Sequence, residues 1–114
     1  MKSKRVEPFN TPPGIADLWR ARDFGTFAHP DLGDIPVCML YDADTTGGNS
    51  GSPVLNGRGE LVGINFDRTF EATINDFAWN EDYSRSIAVD IRYVLWVSQK
   101  FGRATNLLAE LGIQ

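Results

Sequence analysis

Between Thr46 and Ile64 the chain leaves its backbone little freedom. The run Thr46-Gly47-Gly48-Asn49-Ser50-Gly51-Ser52-Pro53 sets glycines on both sides of one serine. Pro53-Val54-Leu55 follows, then the turn-forming Asn56-Gly57-Arg58-Gly59, then Leu61-Val62-Gly63-Ile64. That order predicts a tight turn, a short strand, a hairpin and a second apolar strand. A hydroxyl becomes a useful nucleophile when it is exposed on a turn, has a neighbouring base, and has donors for the developing oxyanion. Glycine around Ser50 supplies the turn and leaves room for a substrate carbonyl. The backbone N–H groups of Gly48 and Ser50 are placed to converge on the oxygen that becomes negative. The plainer alternative is a connecting loop, since Gly, Ser and Asn favour turns without doing chemistry. G-x-S-x-G alone does not separate the two, whereas the longer string through Ile64 favours the nucleophile turn.

The rest of the chain narrows the setting. Its 114 residues have room for one small domain. An apolar content of 42%, with seven Phe, three Trp and three Tyr, suits a packed core. The net charge of −4 comes from 11 basic and 15 acidic residues that are well mixed. No basic stripe points to nucleic acid. The opening Met-Lys-Ser-Lys-Arg is basic, but no apolar stretch follows, so it is not expected to be a signal peptide. No run approaches a membrane span. One cysteine excludes an internal disulfide and forms no metal pattern, so no metal or cofactor is implied. Cys38, within Pro36-Val37-Cys38-Met39-Leu40-Tyr41, is expected to be a buried, inert thiol.

Along the chain, residues 7–14 are Pro-rich and expected to be extended. Residues 15–23 read as a short helix with Leu18 and Trp19 on its apolar side. A loop follows through His29-Pro30-Asp31-Leu32-Gly33-Asp34. Residues 37–41 read as a buried strand, 53–55 as a second and 61–66 as a third. Residues 69–83 read as a long loop with some strand, and 86–89 as a strand. Asp90 then suits the N-cap of a helix over 91–101, with Ile91, Val94, Leu95, Trp96 and Phe101 on its apolar face and Gly102 placed to stop it. A second short helix over 104–111 ends before Gly112. This gives a mainly β fold with C-terminal helices, divided into an N-terminal segment over 1–22 and a body over 23–114.

From about Asp23 onward the chain resembles the bacterial dipeptidyl-peptidase 7 and 11 family of chymotrypsin-clan serine exopeptidases. The residues that carry this are Thr45-Thr46-Gly47-Gly48-Asn49-Ser50-Gly51-Ser52-Pro53-Val54, Gly63-Ile64-Asn65-Phe66-Asp67-Arg68, and Ser86-Ile87-Ala88-Val89-Asp90-Ile91-Arg92-Tyr93-Val94-Leu95. Trypsin-like and glutamyl endopeptidases share the serine loop; the last string looks particular to the exopeptidases. The resemblance implies part of the second β-barrel of a chymotrypsin-like double-barrel peptidase. It implies Ser50 as nucleophile, Gly48 and Ser50 as the oxyanion hole, and Asp67 as the carboxylate that holds the substrate's free α-amino group. Arg68, 18 residues after Ser50, falls where family members with Gly take apolar P1 side chains and those with Arg take Asp or Glu. The residues themselves agree. In such a fold the strand after the hairpin returns along the P1 pocket, so Asn65, Phe66, Asp67 and Arg68 should line it. A guanidinium matches a carboxylate, and a charged hydrogen bond contributes about 1.5–3 kcal/mol. The plainer alternative makes Asp67 and Arg68 turn residues or a surface ion pair worth almost nothing.

A catalytic triad also needs a base and a carboxylate that orients it. The sole histidine, His29, lies 21 residues before Ser50 in a Pro/Gly-bounded loop and reads as a surface residue. Asp42 and Asp44 read as turn residues. In the clan, the His and Asp come from far upstream, so the chain is expected to be a fragment without them, inactive alone. The resemblance implies a parent that releases N-terminal dipeptides from peptides with a free N-terminus, works in the periplasm or at the cell surface, and leaves room for a homodimer. Two other readings stay open: a glutamyl endopeptidase-like protease, and a non-catalytic truncated remnant that binds peptides.

Overall fold

The computed structural model describes residues 10–69 and 84–113. The basic start, the first part of the Pro-rich segment, and all but Thr69 of the long loop predicted over 69–83 lie outside the described residues. The chain divides into two compact units, one from residues 36–93 and one from the residues before and after them.

Among the described residues, the unit over 36–93 is a four-stranded antiparallel sheet. Its strands are β1 (Cys38–Tyr41), β2 (Pro53–Leu55), β3 (Leu61–Arg68) and β4 (Ser86–Asp90). Their spatial order is β1-β4-β3-β2, so the last strand in sequence lies between the first and the third. β3 runs two residues beyond its predicted end because Asp67 and Arg68 still pair with Ile87 and Ser86 of β4. Alternation sorts the side chains by face. On one face Met39 and Tyr41 stand opposite Ala88 and Ser86, while Gly63 and Asn65 stand opposite Asp90 and Ala88. Ser86 and Ala88 are fully buried there. Gly63 has no side chain because none fits. A Cβ would sit 2.9 Å from the Val89 carbonyl oxygen and 3.2 Å from both Ala88 Cβ and Met39 Cε.

The opposite face corrects one expectation. Cys38 is exposed rather than buried, and Leu40 beside it on the same face is 62% exposed. The physical reason is position: β1 is an edge strand, and alternation directs Cys38 and Leu40 to the less covered side. A continuous apolar run does not by itself say that both faces are covered.

In the other unit, α1 (Pro13–Arg20) starts two residues earlier than predicted. Pro13 at its first position loses no hydrogen bond, since that N–H would have no helical partner. The Pro12 carbonyl instead takes the N–H groups of Ile15 and Ala16 at 3.1 and 3.2 Å. This start buries Ile15 and Ala16, with Leu18 and Trp19 half-buried. α2 (Ile91–Trp96) begins in the sheet-bearing unit and is capped there as expected: Asp90 Oδ1 accepts the Arg92 N–H at 2.9 Å. The Arg92 guanidinium closes on the same carboxylate at 3.0 and 2.8 Å.

The helix then widens into a π-helical turn over Val97–Phe101, where the Ser98 hydroxyl donates to the Val94 carbonyl at 2.7 Å. Gly102 keeps a right-handed φ of −79°, and the left-handed residue is Arg103 at +51°. The helix thus ends at Phe101 with Gly102 as its C-cap, as expected, and the left-handed turn follows one residue later. Trp96 is the anchor of this unit, 1% exposed. Its indole N–H donates to the Asp23 carbonyl at 2.7 Å, and its ring meets Phe24 edge-on at 5.9 Å. α3 (Thr105–Glu110) ends as predicted at Gly112, which takes φ +73° while the Ile113 N–H returns to the Leu108 carbonyl.

Gly63→Ala should destabilise the fold by about 1–3 kcal/mol, because the new methyl group meets a backbone oxygen that cannot retreat. Urea unfolding followed by tryptophan fluorescence checks this. Wild-type stability would mean that β3 and β4 pack less tightly than described.

Candidate active site

The site is built on the turn between β1 and β2. Gly48 and Gly51 take φ of +101° and +86°, values that L side chains avoid. Between them stand Asn49 and Ser50. The Asn49 N–H donates to the Thr46 carbonyl at 3.2 Å, and Asn49 Oδ1 accepts the Thr46 N–H at 2.8 Å. The side chain thus locks its own turn. Ser50 is exposed, and its hydroxyl makes no hydrogen bond among the described residues. The N–H groups of Gly48 and Ser50 likewise meet no acceptor among the described residues. That leaves two donors and one hydroxyl together at the tip of one turn.

Asn65 of β3 fastens this turn to the sheet. Its carbonyl accepts the Gly51 N–H at 2.8 Å, and its own N–H donates to the Ser52 carbonyl at 2.9 Å. Its side-chain oxygen accepts the Tyr41 hydroxyl at 2.6 Å, and its amide nitrogen donates to the Asn49 carbonyl at 3.3 Å. Asn65 is only 4% exposed. Although it lines the cavity as expected, its polar atoms are engaged inside the protein.

After Asn65 the strand bulges at Phe66. Asn65 stands opposite Ala88, yet Asp67 stands opposite Ile87 and Arg68 opposite Ser86. The extra residue reverses the alternation, as bulges do. Arg68 thereby joins the face that carries Asn65, Tyr41 and Ser86. Arg68 Nη1 donates to the Thr45 carbonyl at 3.1 Å, and the Arg68 N–H donates to Asp67 Oδ1 at 2.8 Å. No Asp67–Arg68 ion pair occurs among the described residues. The Thr45 hydroxyl pairs with the Ser86 hydroxyl at 2.5 Å, and Ser86 donates to the Ala43 carbonyl at 2.8 Å. A cavity of about 200 Å³ brings Ser50, Asn65, Phe66, Asp67 and Arg68 together, with Thr45, Thr46 and Gly47 completing its wall.

His29 belongs to the other unit. It is half-buried, and its Nδ1 accepts the Asp31 N–H at 3.1 Å within its own loop. Asp42 and Asp44 are exposed. No group of His, Cys, Asp and Glu among the described residues could hold a metal ion. Tyr41, Thr45 and Ser86 escaped the sequence reading. For Tyr41 and Ser86 the trace of their role is the period of their strands, which cannot name a partner across the sheet, and Thr45 lies in the loop between β1 and β2.

Known proteins share this fold. A crystal structure of Porphyromonas endodontalis DPP11 in complex with the dipeptide Arg-Asp matches with a TM-score of 0.93 and 39% identity, over 99% of this chain and 16% of that one. A dipeptidyl-peptidase 7 of Phocaeicola vulgatus is 47% identical over 105 residues, 92% of this chain and 14% of the relative. An Asp/Glu-specific dipeptidyl-peptidase of Porphyromonas gingivalis is also 47% identical over 105 residues, with the same coverage. The fold and the sequence thus match one segment of these dipeptidyl-peptidases. The chain belongs to the peptidase S46 family, whose profile matches residues 1–113. It spans 13% to 18% of the length of the curated relatives it matches.

Tyr41 offers a direct test of the buried network. Burial pushes its ionisation above the ordinary 10.0, and the Ser86 hydroxyl pulls more weakly the other way. A phenol that ionises later when folded leaves stability intact below pH 10 and withdraws it as pH rises through the folded value. The phenolate absorbance lost on Tyr41→Phe should therefore titrate with a midpoint above 10.0. A midpoint at or below that value would place the hydroxyl in water.

Proposed function

We propose that this chain is the C-terminal part of the catalytic domain of a serine dipeptidyl-peptidase that takes Asp or Glu at P1. The observation that carries the reading is the cavity that Ser50 shares with Asp67 and Arg68. Overall identity does not choose between the two kinds of relative, since both reach 47%. The choice rests on Arg68. Its guanidinium has five N–H donors in a planar fork, a shape that matches the two oxygens of a carboxylate.

In this reading a peptide enters with its free α-ammonium at Asp67 and its P1 carboxylate at Arg68, along a wall formed by Phe66. Ser50 Oγ attacks the carbonyl of the second residue, and its proton passes to a histidine base supplied by the rest of the polypeptide. The N–H groups of Gly48 and Ser50 receive the oxyanion. The tetrahedral intermediate collapses, the C–N bond breaks, and the departing amine takes the proton. Water then hydrolyses the acyl-enzyme and releases the dipeptide. The sheet is the later part of the second barrel of a chymotrypsin-like pair. The exposure of Leu40, Leu55 and Leu61 supports packing against further polypeptide. The parent works in the periplasm or at the cell surface, as a homodimer.

In the full-length protein, Arg68→Gly should lower kcat/KM for Xaa-Asp and Xaa-Glu substrates about tenfold to a hundredfold and raise it for apolar P1. Unchanged preference removes Arg68 from the pocket. N-acetylation of the peptide should abolish turnover; an endopeptidase would still cleave it. The isolated 114-residue chain should release no dipeptide, since the base is the largest part of the lost machinery. Release that disappears in Ser50→Ala would overturn that.

A further inference from the structure

Catalysis by Ser50 needs more than a free N–H; that N–H must be aimed before the substrate arrives. A trans peptide fixes the geometry, because its C=O and N–H point in opposite directions. The direction of the Ser50 N–H is therefore set by the Asn49 carbonyl. That carbonyl is held from the sheet side by two donors, the Ser52 N–H at 3.0 Å and Asn65 Nδ2 at 3.3 Å. The Asn65 amide is set in turn by the Tyr41 hydroxyl, which donates to Asn65 Oδ1 at 2.6 Å. Turning this amide over would bring Oδ1 against the Asn49 oxygen. Asn65 is 4% exposed, so its oxygen has little access to water if Tyr41 lets go.

We propose that Tyr41 and Asn65 are positioning residues for the oxyanion-binding N–H of Ser50, acting through the Asn49 carbonyl. Neither touches the reacting atoms. The Tyr41 hydroxyl holds the amide, the amide holds the carbonyl, and the carbonyl aims the N–H on the other side of the same peptide plane. The proposal rests on the reading of Ser50 as nucleophile.

The test uses the full-length enzyme that carries this segment. Tyr41→Phe removes one hydroxyl and keeps the ring, so packing is preserved. It should lower kcat about fivefold to tenfold, the range expected for loss of one hydrogen bond acting on the transition state. KM should stay within about twofold, because ground-state binding is untouched. Affinity for a dipeptidyl boronate, which forms a tetrahedral adduct on the serine, should fall by the same factor as kcat. Affinity for the product dipeptide Arg-Asp should not change. Asn65→Ala should produce a larger loss of the same kind. A wild-type kcat in Tyr41→Phe overturns the proposal, and so does an equal loss of boronate and product affinity, which marks general disruption. Full activity in Ser50→Ala would instead sink the nucleophile reading itself, and the two failures are told apart by that control.

Discussion

Asn65 engages its backbone N–H, its carbonyl and both polar atoms of its side chain within the sheet-bearing unit. Three of those bonds reach the turn that carries Ser50, and the fourth reaches the end of β1. A buried polar group left without a partner costs about 1–3 kcal/mol. Displacing the turn would break several such bonds at once, so the turn is held as a unit. Gly48 and Gly51 make this possible by accepting positive φ, which lets a tight loop bring its own carbonyls inward and its spare N–H groups outward.

The same strand settles the second half of the site through a break in its own pattern. Strict alternation would put Asp67 on the face of Asn65 and Arg68 on the other. The bulge at Phe66 exchanges them, so Arg68 reaches the Thr45 carbonyl while Asp67 pairs across from Ile87. Thr45 is steadied by Ser86, whose hydroxyl is fully buried and also holds the Ala43 carbonyl. One irregular residue in β3 thus decides which charged side chain is braced against the loop that carries Ser50. β4 matters to the site as the ruler against which that irregularity is measured.

Much of the local structure was legible in the chain. The hairpin after Pro53 follows from Asn56-Gly57-Arg58-Gly59, and Asn56 closes that turn by accepting the N–H groups of Arg58 and Glu60. The cap at Asp90 and the stop at Gly112 follow from the chemistry of helix ends. These features rest on interactions between near neighbours. Burial was less legible. Residues 37–41 look like a covered strand, yet Cys38 and Leu40 are exposed, because cover depends on what packs against an edge strand and not on its own side chains. Gly102 stops the helix as its position suggested, although the left-handed conformation falls on Arg103.

By itself the sequence determined the glycine-flanked turn around Ser50, the strand that follows it and the charged pair downstream, since each is encoded by short-range conformational preference and residue chemistry. The tertiary structure alone decided which side of β3 each member of that pair occupies, and which distant side chains hold the turn. Tyr41 and Asn65 are 24 positions apart, and nothing local links them. They meet because β4 enters the sheet between their strands and fixes both registers, and register is a property of paired strands rather than of any one of them.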